Sequence, residues 1–213
     1  MDKKEFEVLE IGNMPVILAG VATTVLAIIG LANILPKALV SISAIAIGAA
    51  LILVGIAVAV EKRHILAETI EGKVGSKMMT AGIGMEMIAG IASIVLGILS
   101  LLKMDPAILL GVDAIIVGLA MLDMCSSDSR MNSYRAASST ASKKAYLRET
   151  VSAIIDIQFL VGLGMVTLGI LALIGITPVV LILVAFLAGG VVLGLKGTTL
   201  AARLSQEHKE TVQ

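Results

Sequence analysis

Apolar residues fill six long stretches of the chain, and shorter polar segments separate them. The stretches cover residues 14–35, 38–60, 80–102, 107–124, 152–175 and 178–201. A helix needs about 20 apolar residues to cross the ~30 Å hydrocarbon core of a membrane. The pattern therefore predicts an all-α membrane protein with six transmembrane helices, of which the fourth is the shortest and carries an aspartate.

The six stretches also repeat in pairs. A pattern that begins with glycine and ends with proline sixteen residues later occurs at 20–36, 90–106 and 162–178, at offsets of 70 and 72 residues. Each copy is followed by a second apolar stretch, so the repeated unit is a helix, a tight turn and a returning helix. Repeats in one orientation are related by an axis along the membrane normal. We therefore expect three helical hairpins in a pseudo-threefold bundle.

Two residue types recur at matching places in the hairpins. Proline at the first turn of a returning helix costs no hydrogen bond, because that N–H has no partner within the helix. Glycine lets membrane helices approach closely, which is their main mode of association. The predicted outer turns are at Pro36, Pro106 and Pro178, and the predicted packing glycines are Gly20, Gly48, Gly90, Gly97, Gly118, Gly162, Gly169 and Gly190.

The composition and the placement of charged residues predict how the chain is oriented in the membrane. The chain is 58% hydrophobic and has zero formal net charge, and its mean hydropathy is +1.04. Basic residues concentrate in the polar segments outside the hairpins, so the positive-inside rule places those segments and both termini in the cytoplasm. The leader shows no cleavage site and is expected to remain. The predicted organisation is a leader at 1–13, hairpins at 14–60, 80–124 and 152–201, cytoplasmic loops at 61–79 and 125–151, and a tail at 202–213.

Three acidic residues lie within the predicted spans: Glu86, Asp113 and Asp156. An acid at mid-membrane costs about 2.5 to 3.5 kcal/mol on insertion scales, so such residues are candidates for function. They are not repeated among the hairpins. One interpretation is a proton or cation path, and the other is that Glu86 and Asp113 are protonated or hydrogen-bonded across helices to Ser43, Gln158 or the backbone.

The sequence contains few other candidates for metal binding or catalysis. Met121, Met124 and Cys125 share one helix face, and soft sulfur ligands suit Cu(I), but methionine is also an ordinary filler of apolar gaps. A single cysteine and two histidines outside the spans exclude an internal disulfide and a haem held between histidines. No hydrolase, zinc-protease or P-loop motif is present. We expect no enzyme activity, no cofactor, no metal site and no nucleic-acid partner.

The repeated phrase G-x5-L-G-I-L-x-L-x4-P, seen at 90–106 and 162–178, resembles the HdeD family of small six-span bacterial and archaeal membrane proteins. Repeat one departs from it, since Ala27 replaces the second glycine. The resemblance implies a non-catalytic, acid-stress-related protein of the inner (cytoplasmic) membrane.

Three hypotheses on function follow from these patterns. The first is a structural or accessory membrane protein, either a homo-oligomer or a subunit of a larger complex in the lipid bilayer. The second is a small proton-linked transporter or channel that uses the intramembrane carboxylates. The third is an enzyme, which would need a metal or cofactor that the sequence does not indicate.

Overall fold

The computed structural model describes the backbone of residues 3–69, 84–102, 105–138 and 141–211, and the side chains of 16–56, 85–102, 105–126 and 155–198. This part of the chain contains helices and turns but no strand, as the apolar pattern predicts. The helices are α1 (Lys3–Leu31), α2 (Pro36–Thr69), α3 (Gly84–Leu101), α4 (Pro106–Ser138), α5 (Ala141–Leu173) and α6 (Pro178–Thr211).

The returning helices α2, α4 and α6 each begin at a proline. The residue before the proline provides the first carbonyl of the helix: the Leu35 oxygen accepts from the N–H groups of Ala38 and Leu39, at 3.1 and 3.2 Å. That residue has positive φ in all three turns, at 44° in Leu35, 20° in Asp105 and 36° in Thr177. One strained backbone geometry thus serves all three turns.

The helices form a closed circuit of contacts in chain order. Helices α3 and α5 each pack against the helix before and the helix after, and α1 packs against α2 and α6. The returning helices α2, α4 and α6 contact one another. The first helix of each hairpin therefore lies in the groove between two returning helices, and the core lies among α2, α4 and α6.

Glycine pairs lie where the hairpins meet. A Cβ added at Gly118 would lie 2.8 Å from the Gly162 carbonyl oxygen, and one added at Gly20 would lie 2.9 Å from that of Gly190. Gly97 has equally little room, because its Cβ would lie 2.9 Å from the Ser41 carbonyl oxygen. These contacts join α4 to α5, α6 to α1 and α2 to α3, so close backbone approach occurs between successive hairpins.

The outward faces of α1, α3 and α5 are apolar and exposed. Leu18, Ile88 and Leu160, which match in the repeat, are 66%, 63% and 69% exposed. Further matched positions follow along the same faces at helical spacing. They are Val21, Ile91 and Leu163; Ile28, Ile98 and Ile170; and Leu31, Leu101 and Leu173. An exposed apolar band of this extent fits a lipid environment and not water.

Four helices contain segments long and apolar enough to cross a membrane: Pro36–Ile56, Pro106–Ser126, Ile155–Leu173 and Pro178–Thr198. The other two helices contribute shorter apolar segments within the described residues, at Val16–Leu31 and Met85–Leu101.

The helices also extend beyond the predicted spans. Residues 61–69 continue α2, and all of 125–151 except residues 139 and 140 belongs to α4 or α5. These segments contain Lys, Arg, Glu, Ala and Leu, which favour helix, and no proline or glycine to end it. Leu66, Ile70, Val74 and Met78 recur every four residues, which predicts a short helix on the inner membrane surface. The last three of these residues lie outside the described part of the chain.

Candidate functional site

The core among α2, α4 and α6 is built in layers of three matching residues, one from each helix. Residues seven positions after each proline form one layer, namely Ser43, Asp113 and Ala185, and all three are 0% exposed. Apolar layers no more than 2% exposed lie on both sides of it, three residues toward the turns and eight residues in the other direction. They are Val40, Leu110 and Ile182 on the turn side, and Leu51, Met121 and Leu193 on the other.

Asp113 is joined to the neighbouring hairpin through Ser93. The Ser93 hydroxyl oxygen, on α3, lies 3.0 Å from Asp113 Oδ2 on α4 and 2.9 Å from the Ala44 carbonyl oxygen on α2. Three helices therefore meet at one buried hydroxyl group.

Two polar atoms of this layer make no hydrogen bond to the described residues: Ser43 Oγ and Asp113 Oδ1. Both are fully enclosed, and buried polar groups without partners are uncommon and costly. Among the described residues, Glu86 Oε2 and Gln158 Oε1 are likewise buried without a hydrogen bond to these atoms, but they lie at another level of the bundle.

Glu86 is buried in the first turn of α3, beside Gly55 of α2: its Cβ lies 3.5 Å from the position of a Cβ added there. It lies seven residues, or about 10 Å, along the helix from Ser93. The matching residue on α5, Gln158, donates from Nε2 to the Met121 carbonyl oxygen at 3.0 Å. Glu86 and Asp113 thus occupy different levels.

The third predicted acid lies elsewhere. Asp156 is exposed on α5, in the turn before Gln158. The structure therefore brings none of the three acids together.

The sulfur residues of α4 pack into the core. Met121 and Met124 are buried, and the Cys125 thiol donates to the Ile155 carbonyl oxygen at 3.4 Å. Met121 and Met165 fill the space beside Gly189, where an added Cβ would lie 3.0 Å from Met165 Sδ. Within the described residues, no group of three or more His, Cys, Asp or Glu side chains could hold a metal ion. The methionines are placed as gap fillers.

Sequence reasoning did not select Ser93 or Ser100. Ser100 lies 2.8 Å from Ser41 across the contact between α3 and α2. A usable signal was present, because Glu86, Ser93 and Ser100 recur every seven residues and so share one face of α3. On an apolar helix, such a polar stripe indicates a face that is turned toward other helices.

Comparison with known proteins identifies no relative. No protein-family model matches the chain, and no match was found among curated proteins or solved structures. The arrangement itself can hold a proton on Asp113 and link three helices through hydrogen bonds.

Proposed function

We propose that this chain is an integral membrane protein with six spans, arranged as three hairpins around a pseudo-threefold axis. Matched exposed residues on α1, α3 and α5 support this architecture, as do the matched glycine contacts between successive hairpins. The six apolar stretches each suit one crossing.

Within that architecture, the role is non-catalytic and structural. The observation that carries this proposal is the closed core among α2, α4 and α6. Three of its layers are each no more than 2% exposed: Val40, Leu110 and Ile182; Ser43, Asp113 and Ala185; and Leu51, Met121 and Leu193. A water-filled path along the axis would leave those side chains accessible. Side chains instead fill the core of the bundle, as expected for a scaffold or an accessory subunit.

The resemblance of the repeated phrase to the HdeD family supports a more specific proposal. By that resemblance, the protein acts in stress resistance in the inner membrane of a bacterium or archaeon, as a homo-oligomer or within a larger complex. The placement of basic residues supports cytoplasmic termini.

A proton-linked transporter or channel is the second candidate. The burial of Asp113 and Glu86 favours it, since intramembrane acids commonly mark proton paths. It requires the apolar layers to open during transport.

Topology is tested by labelling single cysteines. In a Cys125→Ser background, Ile34→Cys and Ile176→Cys place thiols in the exposed first and third turns. A membrane-impermeant maleimide should label both in intact cells and should label a cysteine added at the C-terminus only after permeabilisation. Labelling of the two turns from opposite sides would overturn the six-span architecture.

Function is tested by reconstituting the purified protein in liposomes that contain a pH-sensitive dye. The structural proposal predicts a proton leak equal to that of protein-free liposomes, and native mass spectrometry should then show a defined oligomer or a complex. A leak that Asp113→Asn abolishes and Asp123→Asn retains would support the transporter instead. Asp123 is exposed on the same helix and provides the matched control.

A further inference from the structure

The Ser93 hydroxyl group contacts more acceptors than it can donate to. It has one proton, yet its oxygen lies 2.9 Å from the Ala44 carbonyl and 3.0 Å from Asp113 Oδ2. A carbonyl oxygen only accepts, so the Ser93 proton must go to Ala44 if that bond forms. The contact with Asp113 is then a hydrogen bond only if Asp113 donates. A carboxyl group donates only when it is protonated.

The surroundings of Asp113 favour the protonated, uncharged form of its carboxyl group. An ionised carboxylate in a dry interior needs a countercharge or several donors. Asp113 faces one serine hydroxyl instead, and its Oδ1 makes no hydrogen bond to the described residues.

The other charged or titratable side chains in this part of the chain lie at other levels. Lys37 and Asp105 are exposed near the prolines of α2 and α4, and Asp156 is exposed on α5. Glu86 is two turns from Ser93, and Asp123 and Cys125 are ten and twelve residues from Asp113 on α4. Lys196 is eleven residues from Ala185 on α6, which is about 16 Å along that helix.

We propose that the layer of Ser43, Asp113 and Ala185 is a proton-binding site, in which protonated Asp113 donates to Ser93 and Ser93 donates to Ala44. We include in this site one water molecule bound between Asp113 Oδ1 and Ser43 Oγ. Those two atoms lie on matching positions of α2 and α4, helices in contact with each other, and buried water typically bonds to such atoms. The third member of the layer, Ala185, is the smallest of the three side chains.

Release of the Asp113 proton changes the hydrogen bonds between the helices. When Asp113 releases its proton, the O–H bond of its carboxyl group breaks, the proton passes to the bound water molecule and from there to bulk solvent, and a carboxylate remains. The Ser93 hydroxyl then rotates to donate to Oδ2, and its bond to the Ala44 carbonyl is lost. Proton binding at Asp113 therefore strengthens the contact between α2 and α3. This site does not depend on whether the protein transports protons.

Infrared difference spectroscopy on the full chain in lipid nanodiscs tests the site. At neutral pH, we expect a protonated-carboxyl C=O band that Asp113→Asn removes and Asp123→Asn retains. Ser93→Ala should shift this band to higher frequency, because it removes the hydrogen-bond acceptor of the acid. An Asp113-dependent carboxylate band in place of the carboxyl band would overturn the proposal.

The water molecule is tested in the same samples by exchange into H₂¹⁸O. We expect an isotope-sensitive O–H band that is lost in Ser43→Val, whose side chain fills the space, and retained in Thr167→Val on the exposed face of α5. Retention of that band in Ser43→Val, or its absence from the unsubstituted protein, would show that no water molecule is bound between Asp113 and Ser43. Asparagine at 113 can donate to Ser93 as the acid does, so the variant is expected to fold, and protection of the Cys125 thiol checks this.

Discussion

Gly48 and Gly90 face each other so closely that neither can accept a side chain. A Cβ added at Gly48 would lie 2.6 Å from the Gly90 carbonyl oxygen, and one added at Gly90 would lie 2.7 Å from that of Gly48. The obstructing atoms belong to the backbone and cannot rotate away. Helices α2 and α3 therefore pack at a distance that only hydrogen atoms permit, and the hairpins of the first two repeats are joined there.

The first prediction concerns this contact. Gly90→Ala should destabilise the fold by about 1 to 3 kcal/mol, because the added methyl group forces α2 and α3 apart. The buried thiol of Cys125 is a natural reporter, since a thiol-reactive dye labels it only on unfolding. The apparent melting temperature in detergent should fall.

Two glycines provide matched controls for that variant. Gly164→Ala meets no atom within 4 Å, and a Cβ at Gly30 meets a methyl carbon of Leu183 at 2.7 Å. That methyl group can rotate away, so Gly30→Ala should cost less than Gly90→Ala although the two distances are equal. Equal losses in all three variants would show that backbone contact is not the cause.

The second prediction concerns the hydroxyl pair Ser41 and Ser100. Their oxygens lie 2.8 Å apart in a buried contact between α2 and α3. Hydrogen bonds between membrane helices contribute about 0.6 kcal/mol on average. A double-mutant cycle with Ser41→Ala and Ser100→Ala should give a coupling of about that size.

Ser41 also donates to the Lys37 carbonyl at 3.0 Å, so its hydroxyl has a second partner when Ser100 is removed. The Ser100→Ala substitution should therefore lower the stability of the fold only slightly. A coupling indistinguishable from zero would mean that each serine satisfies itself within its own helix.

The third prediction concerns the turn before α2. Leu35 has φ of 44° and is 74% exposed, so its side chain contributes little packing while its backbone is strained. A left-handed conformation costs an L-residue about 1 to 2 kcal/mol, and glycine avoids that cost. Leu35→Gly should raise the melting temperature despite the greater flexibility of the unfolded chain.

Ile34→Gly is the comparison for this change, because Ile34 is also exposed and does not have positive φ. It should lower stability, since flexibility increases with no strain to relieve. If both variants lose stability equally, the turn geometry of Leu35 is not strained.

The fourth prediction concerns Glu86. Its counterpart Gln158 donates to the Met121 carbonyl, and the residue that matches Met121 on α2 is Leu51. A glutamine at 86 should make the same bond to the Leu51 carbonyl, so Glu86→Gln should change stability by less than about 1 kcal/mol.

Glu86→Leu removes the polar group and serves as the contrasting variant. Thermal unfolding of the two variants, monitored by labelling of Cys125, shows whether a polar side chain at position 86 is sufficient for stability. A large loss in Glu86→Gln would show that the negative charge of Glu86 is required.

Much of the candidate site was visible in the sequence. Asp113 and Glu86 stood out because acids are rare in apolar stretches, and both are buried. The partners were less predictable. The sequence predicts Ser43 and Gln158 as partners of the acids, but the structure pairs Asp113 with Ser93, because the rotation of α3 about its axis decides which residues meet. The hydropathy pattern does not predict the rotation of α3.

The helical class and the first residues of the returning helices follow from the amino-acid sequence alone. Apolar length and proline act locally, so the starts of α2, α4 and α6 follow directly from Pro36, Pro106 and Pro178. The choice of helices that the glycines join is seen only in the folded bundle. The repeat alone does not say whether Gly90 meets its own hairpin or the preceding one, and the structure places it against Gly48. That choice depends on the simultaneous packing of all six helices, which no local pattern specifies.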